Sequence, residues 1–180
     1  MNSQLAEVQS KLRANADRAR KLSARAGAKQ LTTRPRPEGW SAEECLAHLT
    51  MTTEGLLPML RSALTNGRTR SVRSDGPFRM DMLGRMLVWA LEPPPRFKAK
   101  APPTLQPRTS GDEVAKFMAS QERLLELVPE LDGLALDRMK VPSPASPKLR
   151  YNVLSSLMVT VAHQRRHLWQ AERAAGVASE

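Results

Sequence analysis

The chain has 180 residues, enough for one domain with a substantial core and short for two. Hydrophobic residues make up 41% of it and aromatics 4%, so aliphatic side chains must build the interior, and no run approaches the roughly 18 apolar residues of a membrane-spanning helix. One cysteine excludes an intramolecular disulfide, and a net charge of +10 raises the question of a polyanionic partner.

That charge is uneven. Residues 1–36 and 61–108 each carry +7, the tail from 141 carries +3, and residues 37–60 and 109–140 are acidic at −4 and −3. The basic residues are mostly arginines set among Ala, Leu and Ser without interleaved aromatics, as on a solvated helical face. Specific nucleic-acid binding is therefore disfavoured. The opening MNSQLAEVQSKLRANADRARK has no apolar stretch of the signal-peptide kind, and the single thiol agrees with a reducing compartment. The expectation is a bacterial-type cytoplasm, with no membrane partner.

In chain order, Leu5, Val8, Leu12, Ala16, Ala19 and Leu22 recur at spacings of three and four, which predicts an amphipathic helix over residues 2–28. Arg34-Pro35-Arg36-Pro37 then forbids helix, because proline lacks the amide donor and restricts its predecessor. Ser41 with Glu44 three residues on forms a capping box, opening a helix whose face is Leu46, Leu49, Leu56, Leu60 and Leu64. Trp40 before the cap is expected to pack back over the first turn. Pro58 should kink this helix and Asn66-Gly67 should end it. Residues 67–77 read as a basic loop and residues 78–91 as a short accessory helix. Six prolines between 93 and 107 make an extended strap. Ser110 with Glu113 caps the next helix, expected to run to about Val128. A second strap contains Pro142, Pro144 and Pro147, and a last helix over residues 151–175 ends before Gly176. No strand-like alternation persists. The expected fold is all-α: one domain over residues 1–180, a four-helix bundle of antiparallel helices with an accessory helix and Pro-rich straps.

The chain's three histidines stand out within this frame. His163 and His167 are four apart on the last helix, so their Cβ atoms lie about 5–6 Å apart on one face and both rings can reach one ion. His48 sits two turns inside the second principal helix, and bundle cores build metal sites from facing helices. Three neutral imidazoles would leave room for water or substrate at the ion. Asn152, Ser156, Thr160, His163, His167 and Gln170 form a polar stripe between apolar neighbours, which suggests a cavity, with Gln164, Arg165 and Arg166 on a wet side. Cys45, one turn before His48, is either a fourth ligand or a small buried apolar residue. Glu44 is the nearest general-base candidate, though its capping role accounts for it.

The succession Trp40-Ser41-Ala42-Glu43-Glu44-Cys45-Leu46-Ala47-His48-Leu49, the PPRFKAKAPPTLQP strap and His163-Gln164-Arg165-Arg166-His167-Leu168-Trp169-Gln170 resembles the DinB/YfiT-like superfamily over nearly the whole chain. The resemblance implies up-down-down-up connectivity. It also implies a divalent ion on His48, His163 and His167, such as Zn, Ni or another first-row metal. Characterised relatives include transferases and isomerases that use low-molecular-weight thiols such as bacillithiol or mycothiol, and others are described as metal-dependent hydrolases. The leading expectation is thus a metal-dependent S-transferase or hydrolase acting on a small-molecule substrate, with arginines of residues 61–85 available for an anionic group. The alternatives are a non-catalytic stress-response or ligand-binding bundle and a basic nucleic-acid-associated protein. Amphipathic first and third helices further suggest a homodimer.

Overall fold

The computed structural model describes residues 1–96 and 101–177. Helix α1 (Ser3–Arg25) is capped by Asn2, whose side chain accepts from the Gln4 amide, and the whole predicted stripe from Leu5 to Leu22 is buried. It stops short of residue 28. Past Gly27 a separate short helix, α2 (Ala28–Thr32), leads into the proline-rich turn.

Helix α3 (Ala42–Thr69) starts at the Ser41–Glu44 capping box, as expected. It runs through Asn66-Gly67 rather than ending there. Gly67 is a packing glycine: a Cβ at that position would lie 2.5 Å from Met139 Sδ and 3.2 Å from Leu134 Cδ1. Helix α4 (Met82–Leu91) begins at Asp81 rather than at residue 78. The side chain of Gln4 occupies the Phe78 backbone, with Phe78 N donating to Gln4 Oε1 at 2.7 Å and Gln4 Nε2 to Phe78 O at 2.9 Å, which keeps that segment extended. A 3₁₀ turn, Pro103–Leu105, interrupts the strap.

Helix α5 (Glu113–Glu130) is capped not by Ser110 but by Asp112, in the left-handed region at φ 55°. Glu113 is the first helical residue, and its carboxylate accepts from the Ser110 amide at 2.7 Å. The second strap also differs from expectation. Strands β1 (Lys140–Ser143) and β2 (Ser146–Asn152) form an antiparallel hairpin with Val141 opposite Tyr151. In a two-stranded ribbon both strands are edges, so Pro142 and Pro147 are tolerated without their donors. Helix α6 (Val153–Ala174) starts two residues later than predicted because Tyr151 stays in the strand and Asn152 caps, accepting from Ser155 N at 2.8 Å. Among the described residues no helix is long and apolar enough to cross a membrane.

The architecture is helical with one small hairpin. Helices α1 and α3 each pack on both α5 and α6, and α4 lies along α6. The largest cluster joins Leu5, Leu56, Leu60, Leu124, Leu127 and Leu154. Each such side chain stabilises the fold by about 1.5–3 kcal/mol relative to exposure. A second layer joins Ala19, Leu46, Leu49, Phe117 and Leu168, and a third joins Leu22, Cys45 and Ala171.

Two polar devices set the register of these helices. Gln164 of α6, Gln121 of α5 and Asn15 of α1 are buried and bonded together: Gln164 Oε1 accepts from Asn15 Nδ2 (3.1 Å) and Gln121 Nε2 (2.8 Å), while Gln164 Nε2 donates to Gln121 Oε1 (2.7 Å). At the other end Asp81 caps α4 through the Gly84 amide and accepts from the N of Asn152, the cap of α6, and from Ser155 Oγ of α6. A Cβ on Gly84 would lie 2.3 Å from Ser155 Cβ, so only glycine lets α4 sit this close.

Candidate metal centre

The capping box that opens α3 places His48 two turns in, on the side facing α6, while the i,i+4 spacing of α6 puts His163 and His167 opposite it. One ligating nitrogen from each of the three lies within 4.8 Å of the others. His48 Nε2 and His163 Nε2 are 3.2 Å apart. Two nitrogens bound at 2.0–2.1 Å in a tetrahedral site stand about 3.3–3.4 Å apart, so this pair is already at ligand separation.

The outer hydrogen bonds select the tautomers. His48 Nδ1 is 2.8 Å from Leu105 O, and since a carbonyl only accepts, Nδ1 carries the proton and Nε2 points its lone pair inward. His167 Nδ1 is 3.2 Å from Gln170 Oε1 and is oriented in the same manner from one turn along its own helix. Trp40 completes the surround. Its ring lies 4.9 Å from the His48 ring and stacks on His167 at 5.6 Å, which holds both imidazoles in place.

Burial keeps these rings neutral, the form that binds metal. It lowers His163 to about 3, with His48 and Arg166 adding repulsion to any proton. His48 is also lowered by burial, partly offset by its bond to Leu105. His167 falls well below the ordinary value, mainly by burial and then by His163, His48 and Arg166, with Gln170 opposing. The consequence for stability has a definite sign. Unfolded histidine takes a proton near pH 6.5, whereas these stay neutral in the fold, so the unfolded chain binds more protons below pH 6.5. Stability of the metal-free protein should be level above pH 7 and fall as pH drops from 6.5 towards 5. The slope is about 1.4 kcal/mol per pH unit for each histidine that is protonated only when unfolded. Urea midpoints measured across that range check this, and His163→Gln should reduce the slope by about a third. A midpoint that stays flat down to pH 5 would mean that the rings are not held neutral.

The other predicted site residues divide. Cys45 is fully buried among Leu22, Ala42 and Ala171, and burial, then Glu44, pushes its thiol up. It packs as an apolar residue and does not join the histidine cluster. Glu44 is spent on the cap and on Arg34, whose Nε donates to Glu44 Oε2 at 2.8 Å. Burial raises its carboxyl, but the bonds from Arg34 and Ser41 outweigh that and leave it lowered. Of the polar stripe, Asn152 is a helix cap and Thr160 Oγ1 bonds back to Ser156 O, so only its C-terminal half faces the site. Gln164 is buried rather than wet. Within residues 61–85, Arg68 is drawn to the Glu130 carbonyl.

Sequence reading missed the Leu105 carbonyl and gave Trp40 only a packing role. A backbone carbonyl has no residue-type signature. Trp40 did carry one, as a scarce aromatic two turns upstream of a histidine.

The family model described as the DinB superfamily matches residues 11–171 of this chain. No curated protein and no solved structure matches it.

Proposed function

The chain belongs to the DinB superfamily, and on that premise we propose that it is a divalent-metal-dependent enzyme transferring a low-molecular-weight thiol to a small electrophile. The observation that carries this reading is the convergence of His48, His163 and His167 with two of their rings oriented from behind. Held by these rings, a Zn²⁺ or Ni²⁺ ion supplies Lewis acidity that favours the deprotonated form of a thiol or water near neutral pH. The chain's own residues do the rest. Leu105 O and Gln170 Oε1 keep the donor nitrogens inward, and Trp40 covers one side of the cluster. The arginines expected to take an anionic group lie elsewhere, since Arg68 meets Glu130 and Arg73 pairs with Leu134 at the far end of α3, whereas Arg166 is close enough to His163 and His167 to repel a proton on either.

The surroundings of the histidines favour thiol transfer over hydrolysis. Glu44 is turned into its cap and Arg34, and among the described residues no carboxylate joins the histidine cluster. Hydrolysis of an ester or amide also calls for a group that passes a proton to the departing oxygen or nitrogen, whereas a thiolate displacing a halide needs none.

We further propose up-down-down-up connectivity. Its supports are α1–α6 contacts at matching heights, Asn15 to Gln164 and Arg18 to Glu172, while Asn2 at the start of α1 meets Asp132 past the end of α5.

Protein purified without a histidine tag is expected to retain about one metal per chain. It should consume an electrophile such as 1-chloro-2,4-dinitrobenzene only with an added cysteine-derived thiol, lose that activity to a chelator and regain it with Zn²⁺ or Ni²⁺. Metal retention without any thiol dependence would leave a ligand-binding bundle; failure to take up metal at neutral pH would remove the reading altogether.

A further inference from the structure

We propose that the turn at residues 102–106 is a latch on the histidine cluster, so that docking of the strap and occupancy by metal are thermodynamically coupled. The inference rests on the three-histidine reading above and adds regulation to it. His48 is oriented by a group 57 residues away in sequence, the Leu105 carbonyl at 2.8 Å, whereas His167 is oriented by Gln170 from the next turn of its own helix. Orientation of His48 therefore depends on where the strap lies, and that of His167 does not.

The turn is built to present this one carbonyl. Leu105 N donates to Pro102 O at 2.9 Å, Gln106 N to Pro103 O at 3.4 Å, and Gln106 Nε2 to Ala101 O at 2.7 Å. Pro102, Pro103 and Pro107 restrict the remaining freedom, so little ordering is left for docking. Among the described residues, the hydrogen bonds made by residues 101–107 are local except the one from His48. Pro103, Thr104 and Gln106 are exposed while Ala101, Pro102, Leu105 and Pro107 are half-buried, so the turn lies on the surface and Leu105 O is its one hydrogen-bonded hold on α3.

With the turn docked, the proton of His48 is held on Nδ1 and the Nε2 lone pair faces the other two rings. With the turn away, Nδ1 loses its acceptor, and the tautomer and ring angle are no longer selected. Outer partners of this kind change metal affinity by about 10–100-fold. Linkage is reciprocal, so bound metal must favour the docked turn by the same factor.

Zn²⁺ is the probe, with the full chain and hydrogen exchange read at single amides. Zn²⁺ should slow exchange at the Leu105 and Gln106 amides about 10–100-fold, beyond any slowing in the β1–β2 hairpin. The double variant Pro102→Gly/Pro103→Gly, which alters no ligand, should keep its metal-free melting temperature within a few degrees yet bind Zn²⁺ about tenfold more weakly. Zn²⁺ binding to the wild type with less than a twofold change at these amides, or slowing shared equally by the hairpin, overturns the latch and leaves the metal site standing. Wild-type affinity in the double variant does the same. If the wild type binds no Zn²⁺, both the latch and the proposed function fall.

Discussion

Replacing His163 by alanine is expected to weaken Zn²⁺ or Ni²⁺ binding by more than the roughly 100-fold that loss of an outer hydrogen-bonding partner costs, and to leave the protein folded. His163 stands 3.2 Å from His48 through their Nε2 atoms, and it is the ring that His48 and His167 both face. Without it two imidazoles remain, on different helices, and the ion loses a third of its protein ligands. The fold has little reason to suffer. The ring is neutral, lowered to about 3 chiefly by burial, and it gives no helix cap or apolar layer its anchor. Competition with a chromophoric chelator gives the affinity, and circular dichroism with thermal melting shows whether the helices persist. Unchanged affinity would show that the cluster is not the ion's site, and a collapse in melting temperature would assign His163 a structural role instead.

The second large effect is on stability. Gln164→Leu should cost about 2–4 kcal/mol although leucine is close in size and α6 favours it. The amide of Gln164 is 1% exposed and accepts from both Asn15 and Gln121 while donating to Gln121. Those partners keep their bonds to Val161 O and Leu12 O, so Asn15 is left with one unmet N–H and Gln121 with one unmet N–H and an unmet Oε1 rather than either being stripped entirely. A buried unsatisfied group costs about 1–3 kcal/mol, and three bonds are lost together. For a chain of this length each kcal/mol moves the melting temperature by about 2–4 °C. A fall of about 5–15 °C, independent of salt because no charge is involved, is therefore the expected result. A change of less than 2 °C would mean that water or a rearranged pair satisfies the remaining amides.

Helix existence was legible along most of the chain because it depends on local periodicity and caps. The Leu5-to-Leu22 stripe, the Ser41–Glu44 box and Gly176 after α6 all act within one or two turns. Boundaries failed where a distant group intervened: Gln4 holds Phe78 extended, and Met139 with Leu134 converts Gly67 from a stop into a contact. The hairpin escaped notice because its prolines argue against strand and its pairing partner is only evident once the chain turns back. Asp112 displaced Ser110 as cap through a left-handed backbone that residue type alone does not announce.

By itself, then, the sequence determined that the protein is built from amphipathic helices and that its three histidines sit on two of them, two on one face at i,i+4. Spacing along a helix is a short-range property, carried by the 3.6-residue period. What only the tertiary structure decided is that α3 and α6 bring His48 within bonding reach of His163, that a strap carbonyl and Trp40 fix the rings, and that Cys45 and Glu44 look elsewhere. Those outcomes depend on how helices pack and on where a backbone oxygen comes to rest. Neither is written in the identity of the residues concerned.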